Sequence, residues 1–179
     1  MTWWENAWQE WREKQVGKSG RKAMFQGAIP GFILFLATGF FSGFLPYVPG
    51  TAGTLMGLAS YWLLLRRIPT SGYLLLLFGL IPLGCFLCSK AEGYLGKSDA
   101  APIVLDEWIG YLTSVAALPY GPWTLWGGFF LFRLFDISKP PPIRQIQSLG
   151  GGWGVMLDDV LAGIYTNIIL RVFLFWVGG

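Results

Sequence analysis

Histidine is absent from this 179-residue sequence, and only 13% of its residues are charged. The first absence excludes Ser-His-Asp hydrolysis, histidine phosphatases and the usual zinc sites, all of which need an imidazole. The second puts the charged fraction at about half that of an ordinary soluble domain, which argues against a soluble enzyme. Cysteine is scarce as well: Cys85 and Cys88 form a C-x-x-C inside an apolar stretch. Without the βαβ context of a thioredoxin-like motif, that pair reads as core packing. No G-x-x-x-x-G-K-[ST] run occurs, so nucleotide binding has no support. Neither a D-x-D nor a C-x5-R phosphatase signature is present.

What the sequence does have is hydrocarbon: 54% hydrophobic and 17% aromatic residues. Residues 23–65, 68–89 and 108–132 contain no Asp, Glu, Lys or Arg, and about 20 apolar residues suffice for one helical crossing. The chain therefore reads as an all-α, polytopic membrane bundle with four or five membrane-embedded helices, some of them broken or re-entrant. An interfacial helix is expected over residues 1–22, where Trp4, Trp8 and Trp11 share one helical face. Residues 23–179 then form the embedded domain. The net charge is +3, with five of the 13 cations in the first 22 residues. That distribution points to anionic lipid on the cytoplasmic side and away from nucleic acid.

Punctuation divides the embedded part. Pro30, Gly31, Gly39, Gly43 and Pro46 interrupt residues 28–46, which favours a broken or re-entrant segment over a straight span. P-G-T-A-G-T at 49–54 opens an apolar helix to Leu65, a polar turn follows, and a second helix from Tyr73 to about Ser89 completes a hairpin. A polar connection over 90–99 leads to a second hairpin, residues 103–118 and 123–135, turning at Pro119-Tyr120-Gly121-Pro122. A proline- and glycine-rich loop over 139–154 precedes a last helix over about 155–177. The G-G-G-W-G run at 150–154 is either a flexible gate or a close packing site. Arg66-Arg67 on the turn of the first hairpin is a mild counter-signal to this orientation.

The second hairpin returns its two ends to one membrane face, so the ionisable residues converge. Five carboxylates, Asp106, Glu107, Asp136, Asp158 and Asp159, gather there with Arg133, Lys139 and Arg144, and Asp99 lies at the same level. Arg133, Asp136 and Lys139 are spaced by three, which puts them near one helical face if the turn continues. Acids beside hydrocarbon repel one another and are costly to desolvate, so a positive partner is expected among them. With oxygen ligands and no imidazole, the choice tilts to Mg²⁺, with Mn²⁺ as substitute. The plainer alternatives are interfacial salt bridges to the three cations, or acids favouring a helix N-terminus. A transporter subunit would instead spread its acids through the membrane depth, and a scaffold would leave them without a role. In P-G-T-A-G-T, small residues let backbone approach a ligand, while Thr51 and Thr54 offer hydroxyls or helix caps.

Four ordered motifs carry a resemblance: T-G-F-F-S-G-F-L-P-Y-V-P-G-T-A-G-T at 38–54, I-V-L-D-E-W-I-G at 103–110, F-R-L-F-D-I-S-K-P-P-P-I-R at 132–144 and G-G-W-G-V-M-L-D-D-V-L-A-G at 151–163. The chain resembles the phosphatidylglycerophosphatase A family over about residues 38–170. The resemblance implies a bacterial inner-membrane, multi-pass, Mg²⁺-dependent phosphatase facing the cytoplasm. Its substrate would be an anionic glycerophospholipid, phosphatidylglycerophosphate, and its product phosphatidylglycerol. On this reading Asp106, Glu107 and Asp136 are catalytic, and Glu107, Asp136, Asp158 and Asp159 hold metal. Arg133, Lys139, Arg144, Thr51 and Thr54 bind the phosphate. Two positions depart from the family pattern: Gly150 stands where relatives often have histidine, and Pro141 where an aromatic is usual. Another lipid or isoprenoid phosphate monoester is the alternative substrate.

Overall fold

A computed structural model describes residues 27–45 and 47–178, and among them every regular element is helical. The expected interfacial helix over 1–22 lies outside the described residues. In chain order the elements are α1 (Ala28–Ala37), a single turn (Ser42–Phe44), α2 (Pro49–Leu63), a second turn (Leu65–Arg67) and α3 (Thr70–Leu95). Then come α4 (Leu105–Ser114), a wide turn (Trp123–Gly127) running straight into α5 (Gly128–Ser138), the short α6 (Ile143–Gln147) and α7 (Gly151–Gly178).

Helix α3 has 26 residues and α7 has 28. At 1.5 Å per residue they extend about 39 and 42 Å, against a hydrocarbon core of about 30 Å. Both are long and apolar enough to cross a membrane. Their outward faces expose Leu75 and Phe78 on α3 and Phe175 and Trp176 on α7, a surface suited to lipid. Among the described residues, these two helices have the length for a full crossing. α1 and α4 have ten residues each, about 15 Å. α1 stops because Gly39, Phe40 and Phe41 all take positive φ, which breaks the 28–48 segment after its first helix.

Several boundaries differ from the sequence reading. P-G-T-A-G-T lies wholly inside α2, with Pro49 in its first turn, where a missing N–H costs nothing. The connection expected over 90–99 is helical to Leu95, because nothing stops α3 before Gly96, whose left-handed backbone closes it. The 139–154 loop contains α6, and the glycine run opens α7. Gly152 there is a close packing site: its N–H donates to Ser89 Oγ on α3 at 3.1 Å. The first hairpin is open, since α2 packs chiefly on α4 and leaves an apolar cavity beside α3. The second hairpin closes as expected, with Tyr111 of α4 donating to the Leu125 carbonyl at 3.1 Å.

Helix α7 forms the axis, packed against α3, α4, α5 and α6, and α4 is held between α2 and α7. Glycines make that sandwich possible. On α2, a Cβ at Gly53 would sit 2.6 Å from the Val104 carbonyl oxygen, and one at Gly57 2.9 Å from that of Trp108. On α7, a Cβ at Gly163 would collide with the Gly110 carbonyl of α4. Backbones thus meet without side chains between them, as in small-residue contacts of membrane helices. The far end of α4 is tied down by α7: Asn167 Nδ2 donates to the Ser114 and Ala116 carbonyls at 3.0 and 2.9 Å, and Arg171 reaches Ala116 and Ala117. Carbonyls left over at a helix end buried in apolar surroundings are satisfied this way. Arg66 is likewise occupied, its guanidinium lying 4.7 Å from the Tyr120 ring centre.

Gly163→Val should therefore destabilise the bundle by about 1–3 kcal/mol, the usual range for overpacking. Gly79→Ala, on α3 with open space around it, should be neutral or slightly stabilising. Thermal unfolding of both variants in the same detergent checks the contrast.

Candidate active site

The first turns of α2 and α4, the end of α5 and the third turn of α7 meet at one level. Between them lies a cavity of about 530 Å³, lined by Gly50 and Thr51 of α2, Asp106 and Glu107 of α4, and Arg133 and Asp136 of α5, with Asp99 and Lys139 at its edges. Asp106 and Glu107 occupy the first turn of α4, where the helix dipole favours acids. Asp158 and Asp159 are the eighth and ninth residues of α7, inside the helix rather than at its start, and only 1% and 3% exposed. This placement removes the cap-like alternative for that pair.

Carboxylate oxygens from Asp106, Glu107 and Asp159 lie within 4.8 Å of one another. Two ionised groups that close repel by about 3 kcal/mol at an effective dielectric of about 20. Arg133 Nη1 donates to Asp136 Oδ2 at 2.5 Å, and Lys139 Nζ donates to Asp158 Oδ2 at 2.5 Å. Burial opposes the Lys139 ammonium, but its bond to Asp158 and the fields of Asp159 and Asp136 prevail and hold its pKa above the ordinary lysine value. The two cations are thereby directed to Asp136 and Asp158. Asp106 Oδ1, Glu107 Oε2 and Asp158 Oδ1 are buried without a hydrogen-bond partner. Orphaned acceptor oxygens drawn together in an all-oxygen donor set fit a hard divalent cation.

Gly50 sets the geometry on the α2 side. A Cβ there would collide with Glu107 Oε1 and lie 2.8 Å from Arg133 Nη1, so only glycine admits both groups beside the helix start. Gly50 and Thr51, in the first turn of α2, line the cavity, and a helix N-terminus is favourable to anions.

Of the residues singled out from sequence, Asp106, Glu107, Asp136, Arg133, Lys139 and Thr51 line this cavity. Asp158 and Asp159 lie buried behind it. Thr54 is buried with its hydroxyl donating to the Gly50 carbonyl at 2.9 Å, and Arg144 stands exposed on α6, outside the lining. The expected face shared by Arg133, Asp136 and Lys139 is broken after Ser138: Lys139 takes a left-handed backbone, which turns it across to α7. One buried acid near the site is not among the residues singled out from sequence. Glu92 is buried, and its Oε1 accepts from the Asp99 N–H at 2.6 Å and the Ser98 hydroxyl at 3.3 Å, fixing the loop that carries Asp99. A lone acid one turn before a helix-ending glycine was the available signal.

The model of the phosphatidylglycerophosphatase A family matches residues 35–174. The chain belongs to that family. It is 40% identical to a Haemophilus influenzae phosphatidylglycerophosphatase A over 147 residues, 81% of this chain and 90% of that protein. A phosphatidylglycerophosphatase A from Escherichia coli K12 is 40% identical over 162 residues, 89% of this chain and 90% of its own length. A Bacteroides thetaiotaomicron protein provisionally named a phosphatidylinositol-3-phosphatase is 39% identical over 153 residues, 80% of this chain and 94% of that protein. No solved structure matches.

If like-charge repulsion dominates the cluster, Asp106→Asn should raise the thermal stability of the chelated protein. A saturating divalent cation should stabilise the original chain by about 2–3 kcal/mol at a hundredfold excess over Kd, and the variant by much less. Unfolding curves with Mg²⁺, Mn²⁺ and chelator read both effects.

Proposed function

We propose that this chain removes the terminal phosphate of phosphatidylglycerophosphate to give phosphatidylglycerol, with a divalent cation of the Mg²⁺ class. One observation carries the reading: in a chain of this family, orphaned acid oxygens gather beside Arg133 and Lys139 at the α2 N-terminus. Glu107, Asp106 and Asp159 would hold the cation, with Asp136 and Asp158 adjacent. Bound there, it supplies charge neutralisation for the phosphate and lowers the pKa of water.

The remaining work falls to the chain's own groups. Arg133, steadied by Asp136, presents its guanidinium fork to phosphate oxygens, and Lys139, steadied by Asp158, adds a second positive charge. The Gly50 and Thr51 amides and the Thr51 hydroxyl complete the anion cradle. Water attacks phosphorus, the bond to the glycerol oxygen breaks, and that oxygen leaves with a proton, giving the alcohol and inorganic phosphate. Asp106, Glu107 and Asp136 are the groups placed to take the proton of the attacking water. Arg144, exposed on α6, draws in the anionic headgroup from outside the cavity.

The protein sits as a multi-pass protein of the bacterial inner membrane, with this cavity on the cytoplasmic side where the basic residues 12–22 belong. The short α1, α2, α4 and α5 are embedded beside the two spanning helices. A second substrate reading, another phosphoinositide-like or lipid phosphate monoester, is favoured by the provisional name of the Bacteroides thetaiotaomicron relative, which is as similar as the others.

Purified protein should release phosphate from phosphatidylglycerophosphate faster than from phosphatidylinositol 3-phosphate or phosphatidate, and lose this activity in chelator. Asp136→Asn should cost about 10²-fold or more in kcat with helix content unchanged. Arg133→Lys should lower kcat, whereas Arg144→Lys should alter mainly KM. Full turnover in chelator would overturn the cation's role, and preference for another lipid would overturn the substrate.

A further inference from the structure

We infer that the apolar cavity between α1, α2, α3 and α4 is an acyl-chain site, holding one fatty chain of the same lipid whose phosphate enters the acidic cavity. This inference rests on the lipid-phosphatase reading above and adds the part of the substrate that the reading leaves unplaced. The cavity has a volume of about 320 Å³ and is walled by Leu76, Leu80, Leu83 and Leu87 of α3 on one side and by Leu105, Trp108, Ile109 and Leu112 of α4 on the other. Its potential polar features are already engaged: Trp108 Nε1 donates to Ser60 Oγ at 2.8 Å. Nothing in that wall calls for water, and apolar cavities of about 150 Å³ already stay dry and take up hydrocarbon.

Two segments link this cavity to the acidic one. Leu105 lines the apolar cavity while its chain neighbour Asp106 lines the acidic one. On the segment between α1 and α2, Phe40 borders the apolar side, and Tyr47 and Val48 border the acidic side. Along α2 the acidic cavity touches Gly50 and Thr51, whereas the apolar cavity touches Ser60, roughly 15 Å further along the helix. Headgroup chemistry at one depth and a dry hydrocarbon slot further along the same helices match the two ends of one glycerophospholipid. A free phosphate or a soluble phosphomonoester has no use for the second cavity.

The test is photolabelling of the full chain in mixed micelles, using phosphatidylglycerol with a diazirine in one acyl chain. Label should concentrate on Leu87 and Leu112, well above Phe78 of α3 and Phe175 of α7, which are 78% and 79% exposed on the outer faces of their helices and report ordinary surrounding lipid. Leu80→Trp or Leu83→Trp should remove the inner label. Either variant should also raise KM for the long-chain phosphatidylglycerophosphate roughly fivefold or more, with turnover of a short-chain analogue unchanged. Equal labelling of inner and outer positions, or parallel losses on both substrates, overturns the acyl site. Labelling does not depend on catalysis, so a chain that concentrates the label but releases no phosphate would contradict the phosphatase reading instead.

Discussion

Everything else in this molecule depends on how closely the backbone of α4 is held between α2 and α7. Water-driven burial cannot hold helices together inside hydrocarbon, so contact must come from close packing. Gly53 and Gly57 on one side and Gly163 on the other remove the side chains that would keep the axes apart. A ten-residue helix, too short to cross a bilayer, is thereby fixed against one long and apolar enough to do so. Its unsatisfied C-terminal carbonyls are met by Asn167 and Arg171.

That packing creates the electrostatic problem at the centre of the site. Asp106 and Glu107 start α4, and Asp159 lies one packing layer away on α7, so their oxygens are brought together whether or not they are neutralised. The available cations are committed elsewhere, Arg133 to Asp136 and Lys139 to Asp158. Within the trio, Asp106 Oδ1 and Glu107 Oε2 are buried without partners. A divalent ion resolves this with one bound species, and a phosphate dianion then has a reason to approach an acidic site. Arg133 and Lys139 serve twice on this account, offsetting the acids in the resting protein and meeting the phosphate when it arrives.

Much of this was legible in the sequence. The charge-free runs and the position of the second turn at residues 119–122 determine which acids share a level, and they are the acids found together. The break after α1 was expected from Gly39 and Gly43, and it falls at residues 39–41, where all three take positive φ; the end of α3 was placed too early, because the polar residues 90–95 do not stop a helix that runs on to Gly96. Arg144 was grouped with the phosphate ligands by its motif, yet α6 turns it outward; no periodicity exists in a five-residue helix to show this. Thr54 had a similar fate, since a threonine inside a helix can return its hydroxyl to the carbonyl four residues back. Glu92 carried no motif of its own, although it holds the nearby Asp99 loop; Gly50 was read as one small residue of P-G-T-A-G-T, but that it clears space for Glu107 and Arg133 depends on contacts distant in sequence.

The central claim is that the Asp106, Glu107 and Asp159 carboxylates form one cation site. Anomalous diffraction from crystals grown with Mn²⁺ addresses it directly. The expected result is a single strong peak, or a close pair, bounded by those three side chains. Density for the metal at some other place, or carboxyl groups hydrogen-bonded to one another with no metal peak between them, would contradict it.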